Sequence, residues 1–149
     1  MFNLGRQTDY ASRIVLHLAC LDPGARVTAG EIAAKRLIPP AFVRRIVSRL
    51  SSAGILATVR GSGGGIALAR PAAEISLLQV VEAFEGPLSL NVCVQEPGDC
   101  TLARTCPVQR AWVAATRHLS VYLGEVRFGD LAIQLKGGQT PMMPRNGLK

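Results

Sequence analysis

A run of glycine at residues 61–65 (GSGGG) constrains the fold most, because it separates two short apolar segments at residues 55–60 and 66–70. Glycine adopts tight-turn backbone conformations without steric cost, so these segments predict a β-hairpin with a thin tip. Arg60 and Arg70 flank that tip. The run lacks the Gly-Lys-Ser/Thr ending of a phosphate-binding loop and opens no predicted helix, so nucleotide binding is not expected.

Three helices are predicted before this hairpin. The first runs from about residue 9 to residue 21 and is capped by Thr8, and the second opens at Thr28, which heads a T-x-x-E capping box. The third begins at the proline pair 39–40, where proline costs no hydrogen bond, and ends near residue 52. A short helix, a turn, an amphipathic helix and then a hairpin predict a mainly α fold, a winged helix-turn-helix with a small β-hairpin wing.

The third helix has an apolar face and a basic face. Its outward residues are expected to face DNA, and the glycine tip lets the wing approach the duplex closely. Arg60 at the base of the wing is expected to reach phosphates or a narrow minor groove. The predicted DNA-binding residues are Thr28, Pro40, Ala41, Arg44, Arg45, Ser48, Arg49, Arg60, Gly61, Ser62, Gly63 and Gly64.

The charge of the chain is concentrated in this first half. Residues 1–70 hold ten Lys or Arg and three Asp or Glu, which gives +7, whereas residues 71–149 carry seven of each sign. Nine of the ten basic residues are Arg, the side chain suited to paired hydrogen bonds with phosphate and guanine. An arginine-rich genome would explain the bias toward Arg but not the asymmetry, so a polyanion, double-stranded DNA, is the expected partner.

The second half predicts a helix, an irregular loop and a long helix. Ser76 and Gln79 form another capping box for a helix to about residue 85, and a loop at residues 91–105 precedes a long helix that opens at Pro107. The apolar residues of this helix recur at heptad-like spacing, which favours packing on a second copy, although packing within the chain is the alternative. The seam consists of Val108, Trp112, Ala115, Leu119, Tyr122 and Val126.

This pattern predicts three parts. A winged helix-turn-helix occupies residues 1–75, a cysteine loop and dimerisation helix occupy residues 76–135 with at most a short turn at 130–135, and a disordered tail occupies residues 136–149. No signal peptide or membrane span is evident near the N-terminus, because charged residues interrupt its apolar stretch, so a cytoplasmic protein is expected. No nucleophile–base constellation or hydrolase motif indicates an enzyme.

Cys93, Cys100 and Cys106 follow the spacing C-x6-C-x5-C. This is neither the C-x2-C pair of zinc ribbons nor a redox C-x-x-C pair. Spacers of this length can wrap a body larger than one ion, such as an iron–sulfur cluster, and the helix that starts at Pro107 favours anionic thiolates at its N-terminus. A disulfide-forming thiol sensor and a zinc-stabilised interaction module are the alternatives.

Three thiolates leave the fourth position of a four-iron cluster unfilled. Cys20 has the pattern of a buried apolar residue on the first helix, and His17 and His118 are possible nitrogen ligands that more often have structural roles. An oxygen ligand is a further option, and the spacing alone does not choose among them.

The sequence resembles the Rrf2 family of winged-helix regulators, whose cluster-binding members include the IscR, NsrR and RirA types. The resemblance covers about residues 1–135 and rests on the Thr-Asp-Tyr-Ala segment at 8–11, the wing VRGSGGG at 59–65 and the cysteine triplet. It implies a dimeric cytoplasmic transcription regulator whose third helix enters the major groove of DNA while Arg60 enters the minor groove. The expected function is that of a repressor at a palindromic operator. It also implies an iron–sulfur cluster on the three cysteines whose presence controls DNA affinity.

The resemblance also bears on the fourth ligand. IscR-like members carry a histidine three residues after the last cysteine, and this chain has Gln109 there, which disfavours a two-iron (2Fe–2S) site without excluding it. NsrR-like members complete a four-iron (4Fe–4S) site with an aspartate near the start of the first helix of the other subunit. Asp9 occupies that position.

Overall fold

The computed structural model describes residues 4–138. It consists of seven α-helices, two short 3-10 turns and one two-stranded antiparallel sheet within that range, which confirms the predicted mainly α winged-helix fold. None of the described helices is long and apolar enough to cross a membrane. The elements in chain order are α1 (Arg6–Ala19), α2 (Ala29–Arg36), α3 (Pro40–Ser52), β1 (Leu56–Val59), β2 (Gly65–Leu68), a 3-10 turn (Ala72–Glu74), α4 (Leu77–Glu85), α5 (Val92–Gln95), a second 3-10 turn (Pro97–Asp99), α6 (Pro107–Glu125) and α7 (Phe128–Lys136).

Two of the three predicted helix caps are confirmed. The Thr28 hydroxyl accepts from the Glu31 amide at 3.2 Å, and the Glu31 carboxylate accepts from the Thr28 amide at 2.7 Å. Ser76 and Gln79 form the same reciprocal pair at the start of α4. The cap predicted at Thr8 is wrong, because α1 begins three residues earlier than predicted, at Arg6, with Gly5 as its N-cap residue. Thr8 is buried and its hydroxyl bonds to Glu85, a tertiary partner that local sequence does not reveal.

The wing is a hairpin whose strands are shorter than the predicted segments. Leu56 lies opposite Leu68 and Val59 opposite Gly65, and Ile66 also pairs with Val27, which immediately precedes the N-cap of α2. The turn requires glycine at position 64, where a Cβ atom would lie 2.3 Å from the Val59 carbonyl oxygen. The wing is therefore joined by backbone hydrogen bonds to the helix-turn-helix.

One continuous hydrophobic core includes residues from both sides of position 75, where the sequence predicts the boundary between the first two parts of the chain. Helices α1, α2 and α3 and the hairpin supply most of it, and Val80 of α4 and Phe128 of α7 belong to the same cluster. The short turn predicted at 130–135 is wrong, because this region is the nine-residue helix α7, which packs on α1 and buries Phe128 to 1 % exposure. A Cβ atom on Gly129 would lie 3.0 Å from the Ala73 amide nitrogen, so α7 also lies tightly on the first 3-10 turn.

Helix α6 confirms the predicted long helix, but its apolar side chains do not form a single exposed seam. Ala115, Leu119 and Val126 are partly buried within the chain, and α6 packs on α4 and α5. The large apolar residues of α6 that remain exposed belong partly to the predicted seam and partly to other positions: Val108, Trp112, Val113, Val121 and Tyr122. Of the predicted tail, Lys136 ends α7, and residues 139–149 lie outside the described part of the chain.

Candidate DNA-binding surface and cysteine segment

The N-terminus of α2, the outward side of α3 and the wing form one groove, here called the α3–wing groove. Arg44 and Ser48 contribute from α3, and Arg60 contributes from the position directly after β1. The structure therefore brings together predicted DNA-binding residues that lie up to sixteen positions apart in sequence. The complete lining is Ala29, Arg44, Val47, Ser48, Ser51, Ser52, Thr58, Arg60 and Ile66.

Arg26 fixes the tip of the wing relative to this groove. Its guanidinium Nη1 donates to the Gly63 carbonyl oxygen at 3.1 Å. Gly61, Ser62 and Gly63 are exposed and Gly64 is half-buried, so the tip is accessible as predicted. Gly61 and Gly63 have φ of 94° and 73°, which a residue with a side chain rarely adopts. The tip can therefore approach another molecule closely while the wing keeps a defined position.

The remaining predicted residues of this surface have different environments. Pro40, Ala41 and Arg45 are exposed on α3 but do not line the α3–wing groove. Thr28 is exposed, and its hydroxyl is engaged in the capping box of α2. These four residues remain on the surface beside the groove, and their part in DNA binding stays a prediction.

Arg49 is placed differently from its neighbours on α3. Its Nε donates to the Ala83 carbonyl oxygen at 2.7 Å, and its Nη2 donates to the Phe84 carbonyl oxygen at 3.3 Å. Its guanidinium carbon also lies 5.0 Å from the centre of the Phe84 ring. The structure thus directs Arg49 to the end of α4 instead of bringing it to the α3–wing groove. The helical periodicity of α3 could not reveal this, because the acceptors lie 34 and 35 residues away in sequence.

The three cysteines lie on one segment that ends at α6. Cys93 lies in the short helix α5, Cys100 follows the second 3-10 turn, and Cys106 is the N-cap residue of α6. The loop predicted as irregular thus contains two short helical turns. All three thiols are free, with Cys100 exposed and the other two half-buried. The Gln109 side-chain amide donates to the Cys93 carbonyl oxygen at 3.1 Å, which holds the start of the segment against the first turn of α6.

The segment has the donor chemistry of an iron–sulfur site, but a single chain does not assemble one. Three free thiols within fourteen residues, the last at a helix N-terminus, suit thiolate ligands of iron. Within residues 4–138, however, no group of three or more His, Cys, Asp or Glu side chains is close enough together to hold a metal ion. The residues fit the cluster in kind and in order along the chain, and their convergence requires a rearrangement of the segment.

The fourth-ligand candidates lie on α1 and α6. Asp9 is exposed in the first turn of α1, and its carboxylate pairs with Arg13 at 2.8 Å. Cys20 is the half-buried C-cap residue of α1, and His118 is exposed on α6. In the described chain none of these forms a ligand group with two of the three cysteines. The role of Asp9 as fourth ligand therefore stays a prediction.

His17 has a structural role that makes it a poor ligand. It is 4 % exposed, and Nη2 of Arg36 lies 3.0 Å from its Nδ1. Burial, followed by the neighbouring Arg36 and Lys35 cations, lowers the pKa of His17. A neutral ring that accepts at Nδ1 carries its proton on Nε2, and Nε2 is buried without a hydrogen-bond partner among the described residues. His17 thus joins α1 to α2.

The fold and the groove define a winged-helix DNA-binding protein of the transcription-regulator class. The chain belongs to the Rrf2 family, whose profile, described as "Iron-dependent Transcriptional regulator", matches residues 4–134. It is similar to the HTH-type transcriptional regulator NsrR of Geobacillus kaustophilus, with 37% identity over 109 residues that cover 72% of this chain and 74% of that protein. It is also similar to protein aau3 of Rhizobium meliloti, with 34% identity over 110 residues, 72% of this chain and 70% of that protein.

Solved structures of regulators share this fold. CymR of B. subtilis, described as the global cysteine regulator, matches with a TM-score of 0.74 at 22% identity and covers 89% of this chain and 98% of its own. IscR of T. potens matches with a TM-score of 0.74 at 18% identity and covers 95% of this chain and 94% of its own. The arrangement of helices and wing is therefore that of Rrf2 transcription regulators, a family whose members bind DNA.

Proposed function

We propose that this regulator is a cytoplasmic homodimer, acting as a repressor, whose affinity for a palindromic DNA operator is controlled by an iron–sulfur cluster. Cys93, Cys100 and Cys106 hold the cluster, 4Fe–4S in preference to 2Fe–2S. The observation that carries this proposal is the cysteine segment itself, in which three free thiols are held on one stretch of chain that Gln109 joins to α6. The similarity to NsrR and the iron-dependent description of the family support it.

The residues of the segment have separate tasks in this proposal. The partial positive charge at the N-terminus of α6 favours the thiolate form of Cys106, its N-cap residue. Gln109 fixes the backbone of Cys93 one turn along the same helix. Cys100 lies on the exposed part of the segment and would have to approach the other two thiols to share a cluster with them. When bound, the cluster supplies iron atoms that react with nitric oxide or oxygen and that respond to iron supply.

The partner subunit's Asp9 is proposed as the fourth ligand. A carboxylate is a harder and weaker ligand for cluster iron than a thiolate, so it leaves that position open to exchange. Within residues 4–138, the exposed Asp9 carboxylate bonds to the exposed Arg13 alone. Such surface ion pairs contribute little, on the order of 0–1 kcal/mol, so the carboxylate can leave Arg13 at small cost. Coordination would then connect α1 to the cysteine segment across the dimer.

DNA binding is assigned to the α3–wing groove. Arg44 and Arg60 place two cations on opposite sides of one concave surface that also carries Ser48. Arginine forms paired hydrogen bonds with guanine or phosphate, and serine donates to phosphate oxygens. The thin wing tip reaches toward the adjacent minor groove. Two copies related by a two-fold axis would read two half-sites, which is why a palindromic duplex is the proposed ligand.

The dimer contact is assigned to the exposed side chains of α6. Trp112, Val113, Val121 and Tyr122 lie on one helix with exposed fractions between 38% and 53%. A helix with this many exposed large apolar residues is typical of a protein interface. A second copy of the chain is the proposed occupant, because both operator reading and the proposed Asp9 contact require two subunits.

The decisive experiment is anaerobic isolation followed by visible absorbance, iron and sulfide assays, and DNA binding with and without the cluster. Cys93→Ser, Cys100→Ser and Cys106→Ser are each expected to lower iron and sulfide content and to remove the change in DNA affinity. Cys20→Ser is the matched control and is expected to retain both, because Cys20 lies on α1 outside the segment. Stoichiometric zinc without sulfide would contradict the proposal and favour the zinc-stabilised module.

A cluster-free thiol sensor is the second candidate. The exposure of Cys100 between two half-buried cysteines favours it, because an accessible thiol can be oxidised and then resolved by a neighbour. In that case anaerobic protein contains no iron or sulfide, and an oxidant changes DNA affinity by forming a disulfide that a thiol reductant reverses. Measurement of free thiols before and after oxidation separates the two candidates.

A further inference from the structure

The C-terminal end of α4 is a junction that contacts both α3 and α1, and the chain continues from it toward the cysteine segment. Arg49 reaches it from α3 through two hydrogen bonds, to the carbonyl oxygens of Ala83 and Phe84, and lies over the Phe84 ring. The last carbonyl groups of a helix have no partners within the helix and carry partial negative charge. The last turn of α4 contains no basic residue of its own, so Arg49 supplies the missing donors and the cation from another helix.

Glu85 attaches the same end of α4 to α1. Its carboxylate accepts from the Gly5 amide at 2.9 Å and from the Thr8 hydroxyl. These two donors, the Thr8 hydroxyl first, lower the pKa of Glu85, so the carboxylate is ionised at neutral pH. Gly5 is the N-cap residue of α1, and Asp9 follows Thr8 directly. The position of the proposed fourth ligand is thus set by a contact with the end of α4.

The chain also leads from this junction into the cysteine segment. Gly86 ends α4 with φ of 80°, and Cys93 follows seven residues later. The stretch of chain that leads to Cys93 therefore begins directly after the backbone that Arg49 holds. The neighbouring cations of α3 do not share this contact, because Arg44 lines the α3–wing groove.

We propose that Arg49 is a positioning residue that transmits the state of the cysteine segment to the DNA-reading helix α3, and that it is not a phosphate contact. The proposal rests on the proposed function, since it concerns how the same regulator couples its two sites. Coupling of this kind requires an element whose position both sites influence, and the end of α4 is that element. Arg49 would hold α3 to the end of α4 in one state of the regulator, and it would release α3 when the end of α4 shifts.

Charge and geometry predict different results for a lysine at this position. A phosphate contact needs mainly a cation, which Lys retains, whereas two simultaneous bonds to adjacent carbonyls and a stacked ring need the planar guanidinium. The test therefore compares Arg49→Lys and Arg49→Ala with the same pair at Arg44. The full-length protein is used, with an operator duplex enriched from random sequence by the wild type, and affinity is measured across a range of salt concentrations.

For Arg49, both variants are expected to reduce the ratio of affinities between cluster-loaded and metal-free protein by about five-fold or more, within the usual range of allosteric coupling. The salt dependence of binding should stay unchanged. Arg44→Ala is expected to reduce the slope of log affinity against log salt by about 1, and Arg44→Lys to restore it. If Arg49→Ala reduces the slope by about 1 and Arg49→Lys restores both affinity and ratio, Arg49 is a phosphate contact and the proposal is wrong.

A second pair tests the junction from the α1 side without changing charge. Thr8→Val removes the hydroxyl that bonds to Glu85 at nearly constant volume, and Thr8→Ser retains it. Thr8→Val should reproduce the loss of coupling and Thr8→Ser should not. Equal coupling in both variants would overturn the proposed route through Glu85.

The junction has a readout that does not depend on the cluster. In metal-free protein, Arg49→Lys and Arg49→Ala should both accelerate amide hydrogen exchange at the start of α1 and at the end of α4. Unchanged exchange at α1 would refute the junction itself. If exchange accelerates but wild-type protein binds no cluster, the proposed function fails while the physical link between α3, α4 and α1 stands.

Discussion

The Gln109 side chain and the Cys93 backbone are joined by a hydrogen bond of 3.1 Å. Two turns further along α6, the Thr116 hydroxyl accepts from the Leu90 amide at 3.3 Å. These two contacts attach residues 90–93 to the side of α6. Cys93 is therefore attached to α6, the helix to which the dimer contact is assigned. Separation of Cys93 from α6 requires the loss of buried or half-buried hydrogen bonds.

Replacement of the Gln109 amide should loosen the first cysteine. Gln109→Leu removes the donor and is expected to accelerate alkylation of Cys93 in metal-free protein roughly five-fold, because one hydrogen bond contributes about 1 kcal/mol. Mass spectrometry of the labelled peptide measures the rate. Gln95→Leu, on the exposed end of α5, is the matched control. Equal rates in the two variants would show that Gln109 does not hold the segment.

Arg60 should contribute to DNA affinity from the wing. Arg60→Ala is expected to weaken operator binding by about 1–3 kcal/mol. It should also reduce the slope of log affinity against log salt concentration by about 1. Arg117→Ala removes the same charge from α6, outside the α3–wing groove, and should leave the slope unchanged. Fluorescence anisotropy across a salt series measures both quantities. A flat salt response in the wild type would contradict the assignment of the groove to DNA.

Protonation of His17 should destabilise the fold. Because its pKa is lowered by burial and by Arg36 and Lys35, the folded chain binds this proton less readily than the unfolded chain, whose histidine titrates near 6.5. The contribution of neutral His17 to stability is therefore fully present above about pH 6.5. It is lost as the pH falls toward the lowered pKa that His17 has in the folded chain. Glu31, the acidic group that opposes the shift, only reduces it.

Two glutamine variants isolate this effect. His17→Gln should flatten the decline of the melting temperature between pH 7.5 and pH 5.5, since the amide does not titrate and its oxygen can accept from Arg36. His118→Gln, at the exposed histidine of α6, should leave the decline in place. A decline of equal size in the His17→Gln protein would assign it to other groups.

Leu37 should be a site where glycine stabilises the protein. It ends α2 with φ of 53°, in the left-handed region, and its side chain is 84% exposed. An L-residue pays about 1–2 kcal/mol for this conformation and glycine does not, so Leu37→Gly should raise the free energy of unfolding by about 1 kcal/mol after its entropic cost. Leu37→Ala removes the exposed side chain but keeps the unfavourable φ. Urea unfolding should show a gain only for glycine.

Loss of the Phe128 side chain should cost more than any surface change on α7. Phe128→Ala is expected to reduce the free energy of unfolding by about 3–5 kcal/mol, because the ring fills the common core. Ile133→Ala, at a position 71% exposed on the same helix, should change it by about 0.5 kcal/mol or less. Comparable losses in the two variants would remove α7 from the core.

Sequence patterns predicted what depends on neighbouring residues. The capping boxes at Thr28 and Ser76 act within four residues, and the glycine turn of the wing requires one backbone conformation, so each was readable from the chain. Local patterns predict a helix cap at Thr8 and a DNA-facing position for Arg49, but both side chains bond to the end of α4, far away in sequence. Their environments depend on the packing of α1 and α3 on α4, which no local pattern contains.

The same limit applies to α7 and to the cysteines. A nine-residue helix has little intrinsic stability, so its formation depends on the core that receives Phe128. The order and number of the cysteines were readable, whereas the Gln109 contact needs α5 and α6 to be placed side by side. The exposed apolar residues of α6 likewise became distinguishable only when its contacts with α4 and α5 were known.

Phe128 belongs to the same buried cluster as side chains of α1, α3 and the wing, and this limits how relatives of this protein can recombine. A chimera that takes its DNA-reading half from one relative and its final helix from another must also fit a foreign aromatic ring into an inherited cavity. Exchange of the sensing half as an independent cassette is therefore disfavoured. During divergence, the position of Phe128 and the positions that surround it on α1 are constrained to change together.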